Sequence, residues 1–155
     1  MKQNDKAQIT PLIYPTHLAI IRNSLGSKIF RNLYASVNGK KLDIMENGNL
    51  SCAFFVSSIL TIEKLIKEIH GTVDGTIKDL EASGWEQIKK PKLGSVIVWE
   101  KIDFGIGGEH KHIGFFVGKN EAISNNLKYG YPKKHHYTYK GKRKIEKIFH
   151  HEKLK

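Results

Sequence analysis

A chain of 155 residues with 39% hydrophobic and 10% aromatic residues, 4 Pro and 14 Gly can build one folded domain with a sizeable core. No stretch approaches the roughly 20 apolar residues that span a bilayer, and a single cysteine excludes an intramolecular disulfide. The charge is lopsided: 26 Lys and Arg stand against 15 Asp and Glu, for a net +11. Residues 133–155 hold nine of the basic residues against Glu146 and Glu152, a balance of +7.

Such a tail fits either simple solubility or an anionic partner: nucleic acid, membrane headgroups or the anionic polymers of a cell envelope. It has no RNP-like aromatic motif, zinc-knuckle spacing or DNA-reading helix, which weakens the nucleic-acid option. The first residues, MKQNDKAQITPLIYP, carry Lys2 but no long apolar h-region and no small-residue cleavage site. They do not read as a signal peptide. Residues 1–16 are expected to be an extension to a single domain covering the whole chain.

In chain order, Leu18, Ile21, Leu25, Ile29, Phe30, Leu33 and Tyr34 recur at three- and four-residue steps and predict a helix over 17–37, closed by Asn38-Gly39. A polar loop with a second Asn-Gly pair, Asn47-Gly48, follows. From Ser51, a suitable N-cap, an apolar run through Phe55, Ile59, Ile62, Leu65, Ile66 and Ile69 predicts a central buried helix lasting to Gly71. A short third helix is expected over TIKDLEASGW, with Thr76 as cap, Asp79 in its first turn and Gly84 closing it. The hydrophobic period then changes. Segments 94–100, 112–118, 121–125, 134–140 and 144–150 read as short strands separated by Gly or Pro turns. A helical half (17–84) followed by a sheet half (94–150), without βαβ alternation, predicts an α+β domain. Its antiparallel sheet of about five strands would pack on the central helix. The GIGG run at 105–108 reads as a flexible hairpin tip beside His112, since no Gly-Lys-Ser helix follows it.

The lone Cys52 heads the central helix. A small buried side chain is one reading, because free cysteine is among the most buried residue types. The other is a nucleophile, its thiol acidified by a helix start and served by a histidine from elsewhere, itself oriented by a third polar group. On that reading Cys52 is partly thiolate at neutral pH. His112 opens a strand, and Ser124, Asn125 and Asn126 follow about one hairpin later, close enough for one of them to reach the imidazole.

The stretch SCAFFVSSIL, then LEASGWEQIKKPKLGSVIVWE, then HIGFFVGKNEAISNN resembles the NlpC-type peptidases and their CHAP amidase relatives, a branch of the papain-like superfamily. The likeness lies in a cysteine on a helix, a Pro-x-x-Gly lead into a strand, and a His-hydrophobic-Gly-hydrophobic-aromatic strand with a short hairpin. It covers residues 48 to about 126. The resemblance implies hydrolysis of peptide or amide bonds in bacterial peptidoglycan. Three departures bear on substrate class: Ser51 replaces the acidic residue before the cysteine, Phe54 the small residue two after it, and Ser95 the aspartate of the Gly-Asp lead-in.

The catalytic set expected from residues and resemblance together is Cys52, His112 and Asn125. Strict counting lands on Ser124 for the third place, but an amide carbonyl accepts from an imidazole more firmly than a hydroxyl does. The backbone N–H of Cys52 is the expected oxyanion donor, with Tyr34, Asn49 and Ser51 as candidates for a second. His110 and His112 share a strand face, yet no further cysteine or convergent acidic motif accompanies them, so neither metal nor cofactor is expected. His135-His136 and His150-His151 are adjacent and would point to opposite faces of a strand, one of each pair lining core or groove. Trp85 and Trp99 read as core aromatics. The expected function is thiol hydrolysis of a peptidoglycan peptide or similar amide. The alternatives are an acyl-transferring domain, and a catalytically silent one whose basic residues 133–155 bind an anionic polymer.

Overall fold

The three α-helices lie before Gly94 and five of the six strands of the main sheet after it. In the computed structural model, residues 6–103, 105 and 108–155 are described. The order of elements is α1 (Ile13–Asn23), β1 (Tyr34–Val37), β2 (Lys40–Asp43), α2 (Cys52–Ile62), α3 (Val73–Ala82), β3 (Trp85–Gln87), β4 (Val96–Asp103), β5 (Glu109–Gly118), β6 (Glu121–Asn126), β7 (Tyr131–His136), a 3-10 turn (Tyr139–Gly141) and β8 (Ile145–His151). β1 and β2 form a two-stranded hairpin, and the other strands form one sheet in the order β3-β8-β4-β5-β6-β7. All pairings are antiparallel. The α+β expectation holds, with six strands in the main sheet rather than five. The extra one, β3, is three residues long and pairs Trp85 with His151 at the sheet edge.

α2 is buried on nearly every side, its Ser57 and Ser58 included. Phe55, Val56, Ile59 and Leu60 are each fully buried against Val96, Val98, Ile113, Phe115 and Ile123 of the sheet. Burying a side chain of this size is worth roughly 1.5–3 kcal/mol, which makes α2 the pillar of the fold. It stops at Ile62, nine residues before Gly71. Lys64 takes a left-handed backbone (φ 57°) and Leu65 N–H returns to Leu60 O at 2.8 Å. The chain beyond is non-helical because Asp79 caps its free donors, accepting from the N–H groups of Lys67 and Glu68 at 3.0 Å each. Leu65 and Ile66 are still buried, so the apolar pattern was real although the helix was not.

The first expected helix also divides. α1 spans Ile13–Asn23, with Pro15 in its first turn where a missing N–H costs nothing. It ends where Ser24 Oγ donates to Ile21 O at 2.6 Å and Gly26 adopts φ 73°. Asn38-Gly39, expected to close a helix, is instead the left-handed turn of the β1–β2 hairpin (φ 51° and 78°). α3 begins earlier than expected, capped by Thr72 Oγ1 accepting from Gly75 N–H at 3.1 Å. Gly84 (φ 88°) closes it, and Trp85 opens β3. The strand expected at 134–140 shifts to Tyr131–His136, because Tyr139 and Lys140 both take left-handed angles in the 3-10 turn. In the stretch joining β4 to β5, Phe104, Ile106 and Gly107 lie outside the described residues, and so half of the hairpin tip expected at 105–108 does too; Met1 to Asp5 also lie outside them. Among the described residues no helix is long and apolar enough to cross a membrane.

Candidate active site

Cys52 is the first residue of α2, and the loop ahead of it is anchored from several sides. Asp43 accepts from the N–H groups of Leu33, Met45 and Asn47 and from the Asn32 side chain. Burial works against its charge, but these bonds hold its carboxyl below the ordinary value. Gly48 (φ 91°) meets Gly130 on the β6–β7 turn so closely that a Cβ on Gly48 would stand 2.5 Å from the Gly130 Cα. Only glycine fits that crossing. Arg31 Nη2 donates to Tyr129 O at 2.7 Å on the same turn, and Asn125 Nδ2 donates to Gly48 O at 2.7 Å. Ser51 is fully buried and does not cap α2; its hydroxyl donates to Arg31 O at 3.4 Å.

The β5–β6 ladder stops at Gly114–Ser124, and the backbone N–H of Ile113, just beyond it, favours the charged form of the half-buried Cys52 thiol. The N–H groups of Ala53 and of Cys52 itself act in the same direction. Burial pushes the thiol up, and it prevails over those N–H groups and the nearby positive charge of Arg143. The expected resting thiolate is therefore corrected: at neutral pH Cys52 is a thiol.

His112 is paired across the ladder with Trp99, a fully buried residue whose ring centroid is 5.4 Å from the imidazole. Its Nε2 lies 2.8 Å from Ser124 Oγ on the neighbouring strand. Gly114 makes that approach feasible, since a Cβ there would stand 2.7 Å from the Ser124 Cβ and 3.2 Å from the Trp99 ring. This is the physical content of the glycine in HIGFF. Burial, then the charges of Arg143 and His135, hold His112 well below its ordinary pKa, so the imidazole is neutral.

Asn125 does not take the orienting contact expected of it. Strand alternation turns its side chain away from His112, and it is 3% exposed on the Gly48 carbonyl, its own Oδ1 without a hydrogen-bond partner among the described residues. The partner of His112 is Ser124, the residue that counting alone had indicated. Ser124 is also 2.7 Å from His135 Nε2 and 3.4 Å from the Tyr139 hydroxyl.

Cys52, His112, Ser124, Asn125, His135 and Tyr139 all line one cleft of about 950 Å³. Lys101, Lys111, Lys133, Lys134, Lys140 and Lys142 line it as well, with Asp74 and Glu109 the acidic members. Lys111 is tied to Asp74 at 3.1 Å, and Lys134 to Glu121 at 3.3 Å. Arg143 belongs to the cleft rather than to an exposed basic surface. It is 6% exposed and donates to Glu100 O through Nε (3.0 Å) and Nη2 (2.9 Å), and to His110 O at 2.9 Å. The sequence reading missed it as a site residue.

Of the candidate second oxyanion donors, Asn49 lines the cleft, whereas Tyr34 is 62% exposed on β1 and Ser51 is engaged behind the helix start. Among the described residues no group of three or more His, Cys, Asp or Glu converges as metal ligands. His150 and His151 are structural: His150 bridges Ser95 Oγ and Leu154 O, and His151 bonds Ser83 O against Trp85. Compared with known proteins, the chain matches no family model and no curated protein.

Proposed function

We propose that the chain is a thiol hydrolase of the papain-like NlpC/CHAP kind, cleaving a peptide or amide bond in peptidoglycan-derived peptides. The observation that carries this reading is the convergence in one cleft of the thiol at the α2 start and a neutral His112 whose Nε2 is engaged by Ser124. With Nε2 bonded, Nδ1 is the nitrogen left to act as base.

The reaction then runs as follows. His112 Nδ1 takes the proton of the Cys52 thiol as the sulfur attacks the amide carbonyl carbon. The oxyanion of the tetrahedral intermediate draws on the Cys52 N–H at the helix start. As the C–N bond breaks, the imidazolium returns its proton to the departing amine, leaving a thioester on Cys52. Water, deprotonated by His112, attacks the thioester; the acid product leaves and the thiol regains its proton.

The basic cleft supports a substrate bearing carboxylates, as peptidoglycan stem peptides do. The same lysines favour, as a second reading, a silent domain that holds an anionic polymer through residues 133–155. Purified peptidoglycan and soluble stem peptides incubated with the protein, analysed by mass spectrometry, decide between them. Hydrolysis predicts matched new amine and carboxyl ends with the wild type and none with Cys52→Ala. Salt-sensitive binding by both proteins without cleavage would favour the silent domain. A product joined to an added amine would mark an acyltransferase.

A further inference from the structure

The hydrogen-bond chain of His112 does not end at Ser124, and its direction can be worked out from the far end. His135 Nδ1 is 2.9 Å from the His136 carbonyl oxygen. A carbonyl can only accept, so Nδ1 carries the hydrogen, and in a neutral imidazole Nε2 is then a lone pair. Burial keeps His135 on the neutral side by holding its pKa down. Ser124, 2.7 Å from that lone pair, donates its single hydroxyl hydrogen to it. Its oxygen is left to accept from His112 Nε2–H at 2.8 Å. His112 is thereby held with the hydrogen on Nε2 and with Nδ1 bare.

Serine alone cannot impose this. A hydroxyl donates and accepts equally well, and without a fixed acceptor on its other side it would serve either tautomer of His112. His135 supplies that acceptor and is itself held rigidly. It stacks on Tyr139 with ring centroids 4.1 Å apart and planes 14° apart, and packs on Trp99 at 5.4 Å. The His136 carbonyl fixes its remaining nitrogen.

We infer that His135 is a positioning residue that sets the working tautomer of His112 through Ser124. This rests on the reading of His112 as a base, but its test does not depend on activity. The imidazole nitrogens of wild type, His135→Phe and His135→Gln, each with 15N-labelled histidine, would be observed by NMR at pH 7. Phenylalanine keeps a ring for Tyr139 and Trp99 but has no acceptor; the glutamine carbonyl restores an acceptor without the ring.

The expected result is an Nε2–H tautomer of His112 in the wild type and in His135→Gln, and a mixture in His135→Phe. In parallel, kcat should fall about tenfold in His135→Phe with KM unchanged, and recover in His135→Gln. The same His112 tautomer in all three proteins, or an Nδ1–H tautomer in the wild type, would overturn the inference. Absence of hydrolysis by the wild type would overturn the proposed function instead, while the NMR comparison would still decide the role of His135.

Discussion

His17 and His112 pack on opposite faces of the sheet, His17 edge-on against Phe115 and His112 against Trp99. His17 is fully buried with both nitrogens taken, Nδ1 at 2.7 Å from the Glu63 carboxylate and Nε2 at 3.0 Å from Gly94 O. His112 has one nitrogen on a hydroxyl, and the groups that act on its charge, Arg143 and His135, are cationic or titrate to cations. The first arrangement locks an imidazole between α1, the α2 end and the β4 approach. The second keeps one neutral, with a nitrogen to spare, at the edge of a cleft. A histidine becomes a base through what its partners leave undone as much as through what they do.

The two histidines should differ most when each loses its role in turn. His112→Ala removes both the base for the thiol and the acid for the leaving amine, and turnover should fall at least about 10³-fold with the fold retained by circular dichroism. Glu63→Gln should do the reverse: it breaks a buried pair and should cost on the order of 3 kcal/mol in denaturant unfolding, with kcat close to wild type. A Glu63→Gln variant as inactive as His112→Ala would erase the distinction.

A smaller effect separates two neighbours on β6. Ser124→Ala should lower kcat roughly 10–100-fold by releasing the imidazole, since members of a catalytic unit are not additive. Asn125→Ala should act chiefly on stability, by about 1–3 kcal/mol, because it removes the buried bond to Gly48 O that pins the loop before Cys52. Thermal melts and kcat measured together test both, and a larger kcat loss for Asn125→Ala would return the orienting role to it.

The carboxylate clusters differ from the cleft in their response to acid as well. Asp79 accepts from Lys67 N–H, Glu68 N–H, His70 and the Ser83 hydroxyl, and although burial opposes it these bonds lower its pKa to about 2. Its folded value lies below the unfolded one. The stabilisation, about 2 kcal/mol, is therefore fully present above roughly pH 4 and is lost as pH falls toward 2. Urea unfolding of wild type and Asp79→Asn across pH 2–6 should converge at the acid end, and curves that stay parallel would refute the assignment. Smallest of all, replacing Lys133, Lys140 and Lys142 by Gln should raise KM for a carboxylate-bearing peptide about three- to tenfold at low salt. That difference should shrink once ionic strength shortens the screening length to about 3 Å near 1 M.

Five of the six sheet strands were legible because β-branched and aromatic segments broken by Gly and Pro leave little alternative. The helix expected over 17–37 failed because Leu25 to Tyr34 keep a helical spacing by chance, while Gly26 and the Asn38-Gly39 pair govern the backbone. β3 is too short for periodicity to register. In the cleft, Cys52 could be read from its place at the head of α2, whereas His112, expected to open a strand, is the fourth residue of β5, which begins at Glu109. Ser124 was readable too, had strand alternation been weighed above hydrogen-bond strength: Gly114 and Ser124 are register partners, so Ser124 shares the face of His112 and Asn125 does not. Arg143 was hidden by its company, one arginine in a run of lysines, and its burial is decided by carbonyls of Glu100 and His110 that lie far away in sequence.

The measurement that tests most directly whether Cys52 and His112 work as nucleophile and base is the pH dependence of iodoacetamide labelling of Cys52 in wild type and His112→Ala. A thiol raised by burial and a neutral imidazole lining the same cleft predict three things. Labelling should proceed without denaturant, and its rate should climb through pH 8 toward a midpoint above the ordinary thiol value of about 8.5. At neutral pH it should slow at least about tenfold when His112 is removed. A rate that is flat from pH 5 to 8, which marks a preformed thiolate, or one that is identical in the two proteins, would contradict the account.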